Sequence, residues 1–142
     1  MLVGMQRLLG VGALSLAGIA AVVLLVFVPM CRNKLSGSAE VEGTRFAPSS
    51  CRSTAPQGGH GVEIEAEDGR RLQVEPTEGG AGAVYLFERG ELRGAPLGAC
   101  AGIEIAQQHS EINNVRNVEG TVQLHCSERG AATGRLEFAN CH

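Results

Sequence analysis

The sequence predicts an all-β fold: a small antiparallel β-sandwich or open barrel following a single N-terminal transmembrane helix. Three observations carry this. Beyond residue 60 every apolar run is short, alternates with period two and is bounded by Gly, Pro or Asn, the punctuation of strands and turns. No stretch there has the 3.6-residue periodicity of a three-turn amphipathic helix. The stretch 8–30, which begins at Leu8 and ends at Met30, runs 23 residues without a charge. At 1.5 Å rise per residue such a helix is roughly 35 Å long, enough for a hydrocarbon core of about 30 Å.

Residues 1–34 are therefore read as a membrane anchor or signal segment. A cleaved secretory signal is the competing reading, but its apolar part is typically only about 7 to 15 residues long. A lipoprotein signal is a third, because Cys31 follows the apolar run, although Val28, Pro29 and Met30 are a poor approach to such a site. Arg7 flanks one side of the run while Arg32 and Lys34 flank the other, so charge asymmetry nearly ties on orientation. Cysteine usage breaks the tie. Cys51, Cys100, Cys126 and Cys141 form an even set in the downstream region, which fits two disulfides and places that region outside the cytoplasm, periplasmic or extracellular.

Residues 35–60, rich in Ser, Gly and Pro, read as a linker that becomes ordered near Phe46 and Cys51, and 61–142 as the disulfide-stapled β domain. The clearest element is the hairpin built on Val62, Ile64, Leu72 and Val74. A two-residue Asp68-Gly69 loop would put apolar and polar residues on one face. A three-residue loop, Glu67-Asp68-Gly69, instead pairs Ile64 with Leu72 and Val62 with Val74, with Gly69 at the left-handed position, and it sets Glu65 across from Arg71. Further strands are expected at 83–88, 99–106, 115–126 with a bulge at Gly120, and 135–141, six or seven in all. Val62, Ile64, Leu72, Val74, Val84, Leu86, Ile103, Ile105, Val122, Leu124, Leu136 and Phe138 would share one interior.

Four cysteines allow three connectivities. If the last two strands form a hairpin, Cys126 sits at its loop and Cys141 at its far end, well over 15 Å away by strand rise, which forbids that bond. Strand parity then selects Cys100 with Cys141 and Cys51 with Cys126. A bulge in either strand reverses the step and gives Cys51 with Cys141 and Cys100 with Cys126.

Residues 35–142 hold 9 Arg against 15 acids, net −6, which argues against nucleic acid as a partner, since phosphates demand a basic surface. The row Glu63, Glu65, Glu67 with Asp68 reads as a solvated outer face: alternate strand residues lie nearly 7 Å apart, too spread to close round a cation. Catalytic signals are thin. Asp68 is the only aspartate and sits in a tight turn, no Lys follows Lys34, and no phosphate loop occurs, so the chain is read as a non-enzyme without a cofactor. The expected function is a membrane-anchored extracytoplasmic binding or structural module of the bacterial cell envelope, held to the membrane by its N-terminal helix, with a protein as its candidate partner. The alternative is a metal-handling envelope protein using His109, His125 and His142 with the cysteines, types of ligand that zinc or copper takes.

Overall fold

The strands follow from the turns between them. The structure, a computed structural model, describes residues 32–128 and 130–142, so the expected membrane segment and Cys31 lie outside the described residues. Among the described residues nine strands run in chain order: β1 (Lys34–Val41), β2 (Thr44–Phe46), β3 (Pro48–Ser53), β4 (Val62–Ala66), β5 (Arg71–Pro76), β6 (Ala81–Phe87), β7 (Ala95–Ile112), β8 (Val115–Cys126) and β9 (Ala132–Cys141), with one short 3₁₀ turn at Ala55–Gln57. All neighbours are antiparallel, in the order β2-β1-β9-β8-β7-β6-β5-β4-β3, and Asn33–His142 makes one compact unit.

The hairpin between β4 and β5 has the expected register. Ile64 faces Leu72, Val62 faces Val74, and the Ala66 amide donates to the Arg70 carbonyl at 2.9 Å around the Glu67-Asp68-Gly69 loop. Gly69 has φ of 85°, a conformation that costs an L side chain about 1–2 kcal/mol. Two other hairpins use two-residue loops with both residues at positive φ, Glu42-Gly43 and Asn113-Asn114, whose left-handed geometry matches strand twist. The Asn-Asn loop lets β7 run to Ile112, well past the Ala106 end expected from the sequence.

The stretch 35–60 is a correction. It contributes β1, β2 and β3, and is part of the same sheet. Close strand approach requires one of its glycines: at Gly37, φ 88°, a Cβ would overlap the Arg135 carbonyl of β9. The sheet curls into a nearly closed barrel, with β3 packed beside β1 and β9 across a seam that no β ladder spans among the described residues. Of the apolar residues expected inside, all but Ile103 and Ile105 are buried; Val41, Phe46, Leu97 and Val118 join them, Phe46 completely.

Candidate functional site

The seam is closed by side chains at both ends of β1. Cys51 of β3 bonds Cys141 of β9, and beside them the Asn33 side-chain amide donates to the Cys51 carbonyl at 3.1 Å and the Asn140 carbonyl at 2.8 Å. Near the β1–β2 turn, the Arg70 guanidinium reaches the carbonyls of Val41 and Arg45 at 3.4 and 2.9 Å, pairs with Asp68 at 2.8 Å and lies 5.9 Å from the Phe46 ring centroid.

The second disulfide joins Cys100 to Cys126. The expected pairs, Cys100 with Cys141 and Cys51 with Cys126, are thus corrected to the alternative connectivity, and the exclusion of a Cys126–Cys141 bond stands. Two bulges reverse the parity. Asn140 has φ of 57°, and the β8–β9 register slips between Val118 and Gly120, which turns Cys141 inward to full burial. In β7, Ala99 faces Ala83 and Ala101 faces Gly82, leaving Cys100 as the extra, unpaired residue. The one signal that could have found the first bulge was Asn140 itself, because Asn enters the left-handed region more readily than most residues.

The histidines are not gathered. His125 faces Thr133 at one end of β8, while His109 lies on the β7 extension, roughly 25 Å away by strand rise. His142 is exposed beside Cys141. Among the described residues no group of three or more His, Cys, Asp or Glu could hold a metal ion. The four cysteines, bonded to one another, have no thiolate to offer.

The acidic row on β4 is also corrected. Glu63 is not solvated: its side chain is only 10% exposed, held between Arg52 at 2.6 Å and Arg71 at 3.3 Å. Arg71 does stand opposite Glu65, but its guanidinium turns to Glu63, lies 4.7 Å from the Phe87 ring centroid and donates to the Glu91 carbonyl at 2.7 Å. Two cations and a ring make the diagonal partner better than the direct one. A cleft of about 520 Å³ opens here, lined by Asn33, Arg52, Glu63, Arg71 and His142 among others.

Asp68 has its carboxyl held below its ordinary value near 3.8, first by the Arg70 backbone N–H donating to it at 3.0 Å, which outweighs the opposing effect of burial, and then by the Arg70 side chain and its charge. A depressed folded-state pKa stabilises the fold above the unfolded value, and that stabilisation is lost as pH falls through the folded one. The Asp68→Asn variant is therefore expected to be less stable than the parent near pH 6, with the difference shrinking steadily below pH 4. Urea melts at several pH values check this, and a gap that widens on acidification would contradict it.

A larger trough, about 590 Å³, crosses the outer face of β1, β9, β8 and β7. One wall is the cross-strand row Ser36, Glu137, Thr121 and Glu104; the other includes Lys34, Glu119 and Ala106. Its floor passes over Gly120, where a Cβ would overlap the Glu104 carbonyl, so only glycine lets β7 and β8 approach so closely. Glu119 accepts from the Gln108 side chain at 2.8 Å and Glu137 pairs with Arg135 at 3.2 Å. Glu104 is exposed and, among the described residues, has no hydrogen-bond or ion-pair partner. Sequence reading missed this trough, because its members come from four strands and show no common motif.

Comparison of the chain with protein-family models, with curated proteins and with solved structures finds no match.

Proposed function

We propose that this protein is a non-catalytic binding or structural module of the bacterial cell envelope, tethered to the membrane by the stretch 8–30 and carrying its β domain outside the cytoplasm. The observation that carries the reading is the pair of disulfides, Cys51 with Cys141 and Cys100 with Cys126. Such bonds persist in oxidising compartments, and here one of them stands where a β ladder is missing. An uncharged run long enough to span a bilayer, just upstream, supports the tether. The net charge of −6 over 35–142 favours a protein partner over nucleic acid.

The test is a C-terminal reporter enzyme that is active only after export, combined with acid-quenched thiol alkylation of the full chain in cells. The reading expects reporter activity, membrane-bound protein, and one alkylated cysteine, Cys31, rising to five after reduction. An inactive reporter with five free thiols before reduction would overturn it. Stoichiometric metal in a chain with free thiols would favour the metal-handling alternative.

A further inference from the structure

β7 is longer than the strand beside it. β6 begins at Ala81, which faces Gly102, and among the described residues no strand pairs with β7 on that side beyond this point. On its other side β7 stays in regular register with β8 through Gln107, which faces Val118, before the register shifts ahead of Glu111. Residues 103–107 are thus a regular, one-sided edge of five residues, the length of an ordinary strand. Among the described residues, no backbone hydrogen bond outside the strand ladders involves them. The outward-facing N–H and C=O groups of such an edge are a template for another strand.

The side chains say what that strand would carry. Ile103 and Ile105 pack against the core yet stay only partly buried, and among the described residues no strand flanks them on the edge side. Glu104, on the opposite face, is the only charge in 103–107, its side chain has no partner among the described residues, and it borders a trough that also holds Glu119 and Glu137, with Lys34 at the far, β1 end. Lys and Pro, the residues that most often protect an edge, are absent from this segment. A second copy laid along this edge would bring Glu104 of one copy near Glu104 of the other, acid near acid, whereas a basic strand would meet opposite charge.

We propose that residues 103–107 of β7 accept an extended peptide as an added strand, one whose aliphatic side chains cover Ile103 and Ile105 and whose alternating Lys or Arg faces Glu104. This rests on the binding-module reading and names its partner class. The backbone edge supplies affinity, and the alternation of apolar and basic residues supplies selection.

The test uses the purified full chain and three labelled octapeptides: alternating Val and Lys, the same composition with its residues in blocks, and alternating Val and Glu. Anisotropy gives affinities and hydrogen exchange locates the contact. The alternating Val/Lys peptide is expected to bind tightest and to slow exchange of the 103–107 amides, with the Val/Glu peptide weaker by roughly fivefold or more, as the loss of one favourable charge pair and its replacement by repulsion requires. Glu104→Lys should reverse that order while leaving the melting curve unchanged. Equal binding of the alternating and block peptides, binding by none, or protection confined to other strands would overturn the proposal. So would a concentration-dependent dimer that protects 103–107 without peptide, which would assign the edge to a second copy. The purified-chain result is independent of the export reporter: a cytoplasmic reporter sinks the envelope reading while peptide binding stands, and an exported reporter with no peptide binding sinks this proposal alone.

Discussion

Removing the Cys51–Cys141 bond, by Ser at both positions, is expected to cost the folded domain about 4.5 kcal/mol, because the bond closes a loop of 90 residues in the unfolded chain. That approaches the whole stability of an ordinary small domain, about 5–15 kcal/mol. The same change at Cys100 and Cys126, 26 residues apart, should cost about 3.5 kcal/mol. The gap should be larger than loop length alone gives, since the first bond also joins β3 to β9 where no ladder does, while the second joins two strands already paired. Guanidinium unfolding of both double variants measures the order. Hydrogen exchange adds a local readout: β3 amides should exchange faster in the Cys51/Cys141 variant under conditions where the β7–β8 ladder stays protected. Equal losses, or a costlier Cys100–Cys126 deletion, would show that the seam is held by other contacts.

The Arg70→Ala variant should lose about 3 kcal/mol, the sum expected when buried acceptors lose a charged donor and regain no water. Arg70 has a side chain only 11% exposed and satisfies the Val41 and Arg45 carbonyls while pairing with Asp68. One residue thereby ties the β4–β5 turn to the β1–β2 turn. The Arg70→Lys variant should recover only part of the loss, because a single ammonium cannot reproduce the planar fork that addresses separate carbonyls and a carboxylate. Thermal and chemical melts read both. An Arg70→Ala variant within about 0.5 kcal/mol of the parent, the range of a neutral surface change, would show that Arg70 does not hold the two turns together.

The parts of the fold legible in the sequence are those in which local chemistry and pattern agree. The three-residue loop with Gly69 and the inward set Ile64, Leu72, Val62 and Val74 specify one register, and a slip of one residue would expose every member. The candidate site was far less legible. Glu63 has the alternation of an exposed strand residue, and only the approach of Arg52 from β3 and Arg71 from β5 converts it into a buried ion-pair centre. The trough is assembled from cross-strand rows whose members lie as far apart in sequence as Ser36 and Glu137.

The sequence by itself determined the all-β class, the turn chemistry, most of the interior and the presence of two disulfides, because each of these depends on residues a few positions apart or on composition. Tertiary structure alone decided three things. The Ser- and Gly-rich stretch at 35–60 became strands because β9 and β4 supply ladders that a short polar segment cannot supply for itself. The cysteines paired as they did because bulges at Asn140 and Cys100 turned two side chains that a regular strand would have pointed elsewhere. Among the described residues the edge of β7 has no neighbour beyond Gly102, because β6 starts opposite that residue. Each depends on where a neighbouring strand begins, slips or ends, and the period-two pattern of a single strand carries no record of that.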